Sequence, residues 1–343
     1  MSSLIVEVCE IEKVLPHSNA ERLELAHIKG WQCVVPKARY QAGDLVTYVP
    51  VDSVLPAELA ERLGVTKYLS KGRVRCAKLR GEPSFGLIID RENDGWTLGT
   101  DVREHYGIEK FIPPIKLSAG DADVPHALFD SYTEIENMRN FPAVFVPGEP
   151  VIVTEKIHGT NCRIGLIVEN GEPIEMAGSK QIRRKRPAEM ASDLYWFPWT
   201  LAGARELLRE VTLGPRGAKQ AILFGEVFGR VQSLRYGLVN ALAFRAFDLL
   251  IDGKYVDSDE FKSLCEQFGI DVVPSVFEGP FDLQTIRDLS DGPSLISGAD
   301  HIREGVVVKP VKERTDPKIG RVILKYIGDT YLFGESISDT QDV

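Results

Sequence analysis

The sequence predicts an α+β protein with two folded regions: a small β-barrel or sandwich, followed by a larger domain that mixes strands with helices. Three observations carry this. Short apolar runs broken by turn residues fill the chain up to about residue 112. A stretch rich in Pro, Asp and Ser, PPIKLSAGDADVPHALFDS, then has little periodicity of either kind. Beyond it, strand-like runs alternate with segments of helical spacing. The expected organisation is a first domain over 1–115, a linker over 116–140 and a second domain over 141–343.

The first domain reads as strands at Leu4–Ile11, Leu23–Ile28, Gln32–Pro36, Asp44–Pro50 and Ser84–Asp90, with a short helix after Pro56 over Ala57–Leu63. In the second, strands are expected at Val151–Ile157, Cys162–Glu169, Ala221–Gly229, Phe244–Gly253, Glu304–Pro310 and Arg321–Ile327. Helical spacing marks Ala202–Glu210 and Ser258–Gln267. No internal repeat is visible.

Composition narrows the function classes. The chain has 343 residues, 43% hydrophobic and 27% charged, as in an ordinary globular protein with material for two cores. No run approaches the roughly 18–20 apolar residues of a membrane helix. MSSLIVEVCE has no basic flank and places Glu7 and Glu10 in its apolar run, so it is not read as a signal peptide. The five cysteines are scattered, with no CxxC pair. They suggest neither a disulfide framework nor a zinc site, and fit an intracellular, cytoplasmic compartment. A net charge of −9 argues against a surface coated for nucleic acid. Any such contact must come from a local basic groove.

The chemistry concentrates in five strings of the second domain. In Glu155-Lys156-Ile157-His158-Gly159-Thr160-Asn161, a lysine stands where an alternating strand leaves the core. A lysine placed so can be partly desolvated and act as a nucleophile; a solvated strand end is the plainer reading. Phe224-Gly225-Glu226-Val227-Phe228-Gly229 holds a carboxylate inside an apolar strand, which is costly unless it meets a partner. Phe247-Asp248-Leu249-Leu250 sets an aromatic beside a carboxylate. Glu304-Gly305-Val306-Val307-Val308-Lys309 brackets an apolar run with opposite charges, and Leu324-Lys325-Tyr326 adds a last lysine. Each string alone is weak. The five in this order are hard to attribute to accident.

Their order and spacing resemble the covalent nucleotidyltransferase superfamily of DNA ligases, RNA ligases and mRNA capping enzymes, over about residues 140–330. The resemblance implies an antiparallel-sheet adenylation domain in which Lys156 attacks the α-phosphate of ATP and holds AMP. It implies further that Glu226 binds the ribose hydroxyls and Phe247 stacks on adenine, unless Phe247 is simple core. Lys309 and Lys325 then neutralise phosphate charge, Glu155 borders the adenine pocket, and Asn161 handles the end being activated. Glu304, with Glu226, is expected to hold Mg²⁺ or Mn²⁺, directly or through water. Most members have aspartate where this chain has His158. EKIHGTN is similar to nick-sealing phage RNA ligases, which leaves open any metal role of that aspartate and counts His158 among the nucleotide-site residues. Members often have lysine where this chain has Ile323; Arg321 is one candidate substitute.

Lys180-Gln181-Ile182-Arg183-Arg184-Lys185-Arg186 is the densest positive run. It is either a solvated loop or a clamp on nucleic-acid phosphates through Lys180, Arg183 and Arg184. Pro16-His17-Ser18-Asn19-Ala20-Glu21-Arg22-Leu23 is similar to a string of tRNA-binding OB domains, which makes the first domain OB-like. Arg73, Arg75, Lys78 and Arg80 alternate there as a possible backbone-binding face. An OB domain placed first, together with the His158 motif, resembles RNA ligases that seal nicks with RNA on the 3′-OH side. The expected partner is a nicked RNA or RNA/DNA duplex, with no membrane and the protein acting as a monomer. A guanylyltransferase that caps mRNA, a DNA ligase and a non-catalytic OB-domain RNA-binding protein are the alternatives.

Overall fold

The computed structural model describes residues 4–113 and 121–334. Positions 116–120 of the expected linker lie outside the described residues. The chain forms two compact units. One holds the described residues up to 113 with Asn137–Pro142, and the other holds 121–136 with Ala143–Leu332. Among the described residues no helix is long and apolar enough to cross a membrane.

The first unit is an OB-like barrel of short antiparallel strands. Glu7–Glu10, Leu45–Val49 and Leu87–Asp90 form one sheet, and Lys13–Pro16, Leu23–Ile28 and Trp31–Pro36 another. Alternation along these strands turns Val6, Val8, Val49 and Ile89 into a core shared with Leu55, Leu59 and Tyr106. Ser84–Asp90, expected as one strand, is two, because the chain turns at Gly86 with φ of 101°. The short helix is present at Ala57–Arg62. Asn137–Pro142 is tied in by hydrogen bonds from Trp31 Nε1 to Asn140 Oδ1 (3.0 Å) and from Arg139 to the Gly30 carbonyl (2.7 Å).

The second unit carries two antiparallel sheets. The larger runs in the order Arg183–Arg184, Glu172–Ser179, Thr160–Glu169, Gln220–Gly229, Leu242–Ile251, Lys254–Tyr255. The other includes Leu324–Ile327, Gly305–Pro310, Pro150–Glu155 and Ser275–Pro280, in that order. The helix Ala202–Leu213 covers the larger sheet with Ala204, Leu207, Leu208 and Val211, a spacing of three and four that makes one apolar stripe. The helix Ser258–Gln267 matches its expected range. The helix Leu283–Ser290 was not legible as an element, although Asp282 accepts from the Thr285 N–H at its start. The last expected strand is broken: Gly320–Arg321 and Leu324–Ile327 are separate.

Residues 121–136, inside the stretch read as linker, pack onto the larger sheet. Phe129 and Tyr132 are buried with Ile167, Ile222 and Phe224. The ring of Phe129 covers Gly165, where any Cβ would lie 2.9 Å from it, and Arg163 stacks on the same ring at 4.3 Å. Two well-spaced aromatics anchor a segment whose turn-rich composition shows no period. Phe129→Ala is expected to cost about 3–5 kcal/mol in urea denaturation of the second unit. A loss below about 1 kcal/mol would mean that the segment contributes little to that core.

Candidate active site

Pleating sets the site. Pro150–Glu155 pairs with Gly305–Pro310 so that Ile152 faces Lys309 and Thr154 faces Val307. Lys325 is the partner of Val307 on the next strand. Residues of the same parity share a face, so Ile152, Thr154, Val307, Lys309 and Lys325 look one way. Val151, Val153, Val306 and Val308 look the other and are fully buried. The larger sheet contributes Asn161 and Glu226, which are cross-strand partners, with Phe247 and Asp248. These side chains line a cleft with about 730 Å³ of empty space open to solvent.

Lys156 is the first residue past its strand, and its N–H donates to the Gly305 carbonyl at 2.9 Å. Its ammonium lies 2.6 Å from Glu304 Oε1. The other oxygen of Glu304 is 3.2 Å from His158 Nδ1. Glu304 is 2% exposed. Burial alone would raise its carboxyl, but the Lys156 charge and the hydrogen bonds from His158 and Lys156 outweigh it and hold the carboxyl at about 2. His158 is fixed in turn: its N–H donates to the Tyr236 hydroxyl at 2.6 Å, and its Nε2 is 3.2 Å from Ser233 Oγ. Its ring is thus turned to Glu304, and His158 does not line the cleft. Gly159 lets this turn approach the neighbouring strand; a Cβ there would sit 2.5 Å from the Val227 carbonyl oxygen.

The far end of the cleft is built on a second buried charge. Asp248 is 1% exposed and accepts from Lys309 (2.7 Å), from Arg321 twice (2.9 and 3.0 Å) and from the Tyr132 hydroxyl. Burial pushes its carboxyl up, but Arg321 and Lys309 pull harder and keep it well below the usual carboxylate range. Lys309 also donates to the Phe247 carbonyl (3.1 Å). Ile152, opposite Lys309, is four residues from Lys156, about 13 Å along a strand. Lys309 therefore stands away from Lys156 and not beside it, because the valine run of its strand separates it from Glu304. Lys325 stands nearer, level with Thr154 by register, and is not among the cleft-lining residues. Glu155 borders the cleft, with its carboxylate accepting from the Ser294 hydroxyl (2.5 Å) and the Leu295 N–H (2.6 Å).

A family model of RNA ligases matches residues 149–327, the span that holds every residue of this cleft except those from 132 and 135. The chain belongs to the RNA ligase family. A model of an OB-fold domain matches residues 5–90. No curated protein matches the chain in sequence. Among solved structures, a ligand-free lysine-to-alanine mutant of Naegleria gruberi RNA ligase is 25% identical, covering 96% of this chain and 97% of its own at a TM-score of 0.70. An arginine-to-alanine mutant of the same ligase with ATP and Mn is 24% identical over 96% and 98%, TM-score 0.69. A lysine-to-methionine mutant with AMP and Mn is 23% identical over the same shares, TM-score 0.68. At these last two identities the likeness speaks for the fold.

The cleft suits the reactants of an RNA ligase. Phe247 offers a ring face, which also packs on Tyr132 at 4.9 Å between centroids, and apolar walls of Ile152, Val307 and Ile323 surround it. Asn161 Oδ1 is a buried acceptor with no hydrogen-bond partner among the described residues. Those residues hold no cluster of three or more His, Cys, Asp or Glu that could bind a metal ion. Mg²⁺ needs no such cage, since one or two carboxylates with substrate phosphates serve it. Glu226 and Glu304 can supply them. Glu304 meets Lys156 on one oxygen and His158 on the other, so a metal ion bound there would compete with the Lys156 ammonium.

The basic run is not an open clamp. Lys180 pairs with Glu134 (2.6 Å), Arg183 with Asp123 (3.1 Å) and Arg186 with Glu175 (3.0 Å), and Arg184 stacks on Tyr195 at 4.8 Å. Glu134 and Asp123 come from remote stretches, so the sequence hid those two pairs, whereas Glu175 lies only 11 residues before Arg186. The sequence likewise hid Tyr236, Ser233 and Tyr132, which lack a charge signature. Asp248 and Arg321 were visible as residues but not as partners.

Glu304 links the site to pH. Its folded value of about 2 lies below the ordinary 4.5, so its contribution is fully present above pH 4.5 and lost as pH falls towards 2. Wild type is expected to exceed Glu304→Gln by about 3 kcal/mol at neutral pH in urea titrations, the gap closing across that window. A gap independent of pH would refute the pairing. Gly159→Ala is expected to lower stability by about 1–3 kcal/mol through overpacking and to displace the Lys156 turn, measured by the same titrations.

Proposed function

We propose that this protein is an ATP-dependent RNA ligase that seals 3′-OH/5′-phosphate nicks through AMP carried on Lys156, in duplexes with RNA on the 3′-OH side. The observation that carries the reading is Lys156 lining a cleft that also holds Glu226, Phe247 and Asn161, with buried Glu304 against its ammonium. The solved Naegleria ligase with ATP and Mn is similar to this chain along nearly its whole length.

Three in-line displacements at phosphorus complete the reaction. The Lys156 amine, freed of its proton, attacks the α-phosphorus of ATP; a nitrogen–phosphorus bond forms and the bond to pyrophosphate breaks. A 5′-phosphate oxygen then takes the AMP, breaking that bond and returning the electron pair to Lys156. Finally a 3′-hydroxyl loses its proton, attacks the adenylated 5′-phosphate, and AMP leaves. Little covalent work falls to other side chains, so their task is positioning and charge. Phe247 stacks on the base and Glu226 accepts from the ribose hydroxyls. Asn161 orients the 5′ end, and Lys325 faces the phosphates. A divalent ion held by Glu304 and Glu226 would neutralise phosphate charge. In the RNA-bound protein, Lys180, Arg183 and Arg184 exchange their present partners for backbone phosphates.

Incubation with α-labelled ATP and Mg²⁺ or Mn²⁺ is expected to leave acid-labile label on the chain, absent in Lys156→Ala. Unlabelled wild type, with no AMP in its intact mass, would sink the reading. For RNA, Arg183→Gln and Arg184→Gln are each expected to lower the salt slope of nick binding by about 1. An unchanged slope would assign both to the internal contacts alone.

A further inference from the structure

The deep end of the cleft contains a group that the chemistry above does not use. Ser258 lines the cleft, is 1% exposed, and its hydroxyl has no hydrogen-bond partner among the described residues. It opens the helix Ser258–Gln267, and its N–H lies on the Val311 carbonyl (3.4 Å), two residues beyond Lys309. The next turn of that helix brings Phe261 under the Lys309 ammonium at 5.4 Å. Its neighbour Lys262 pairs with Glu278, which is itself opposite Ile152. Val311 follows the Val151–Pro310 pair, so the Ser258 backbone sits beyond the level of Ile152 and Lys309, at the end of the cleft away from Lys156.

A buried hydroxyl without a partner costs stability, so each one in a native protein needs a reason. With phosphate at Lys156 and the base on Phe247, a purine joined to its sugar through the five-membered ring turns its opposite edge to the deep end. That edge carries the substituent at position 6. We propose that Ser258 is a base-reading residue whose hydroxyl accepts a hydrogen bond from the 6-amino group of adenine. Lys309 beside it can only donate and suits a ring nitrogen. The inference rests on the nucleotide orientation of the proposed function, with the phosphate at Lys156.

The test compares AMP with purine riboside 5′-monophosphate, which lacks only the 6-amino group and cannot label the protein. Binding to the full chain is measured by calorimetry. Wild type is expected to bind AMP roughly three- to tenfold more tightly. Ser258→Ala should weaken AMP by that factor, leave the analogue unchanged and so abolish the preference. Its ligand-free melting temperature should be equal or higher, since the lost hydroxyl has no partner. A preference retained in Ser258→Ala, or equal weakening of both ligands with a lower melting temperature, would overturn the assignment. Because no covalent step is involved, failure of Lys156 labelling with the preference intact would strike the ligase chemistry and not Ser258.

Discussion

Two buried carboxylates, and the cations that keep them ionised, hold this site together. Glu304 and Asp248 are 2% and 1% exposed. A lone carboxylate so buried would take up a proton or unfold its surroundings. Each instead recruits charge from distant sequence: Lys156 and His158 for Glu304, Lys309 and Arg321 for Asp248. The strand Gly305–Pro310 connects the two, with Glu304 just before it and Lys309 near its end. Its valines fix the spacing between them, so the packing that buries the strand also sets the cleft's length. Removing either partner of such a pair would leave a buried charge uncompensated, which is why these contacts constrain both stability and chemistry.

This arrangement was half legible. A charge inside an apolar run is visible in sequence, and Glu226, Asp248, Glu304 and Lys309 all stood out for that reason. Period-two alternation likewise placed Lys156 at a strand end. What the runs do not encode is register between strands far apart in the chain. Lys309 reads as one more phosphate-facing lysine until pairing with Ile152 sets it at the other end of the cleft. Arg321 stood out only as a stand-in for a missing lysine, yet it forks onto Asp248 and Glu313 and stacks on Tyr255 at 3.6 Å. The same holds for residues 121–136, whose turn-rich composition conceals Phe129 and Tyr132.

Charge runs illustrate a different failure of local reading. The stretch Lys180–Arg186 looked like the natural place for polyanion contact in a chain of net charge −9. Folding brings Glu134, Asp123 and Glu175 to it. These pairs are partly exposed and worth little each, so they are exchangeable partners for a phosphate rather than barriers to one. An acidic protein can thus keep a basic strip covered by its own carboxylates, and the sequence shows the strip without the cover.

The distribution of satisfied and unsatisfied polar groups completes the argument. The reactive end and the deep end both centre on charges whose hydrogen bonds are met within the fold. The same cleft also holds Asn161 Oδ1 and Ser258 Oγ, buried atoms with no partner among the described residues. They come from different elements: Asn161 from the strand that follows Lys156, Ser258 from the helix beside Lys309. A site built to bind a polar ligand must leave hydrogen-bonding capacity unspent in the empty state, because groups already satisfied gain little from the ligand. The cost falls on the empty protein and is recovered when the ligand arrives. On this view the two orphaned atoms are where affinity is stored, and the paired charges are what hold them in position.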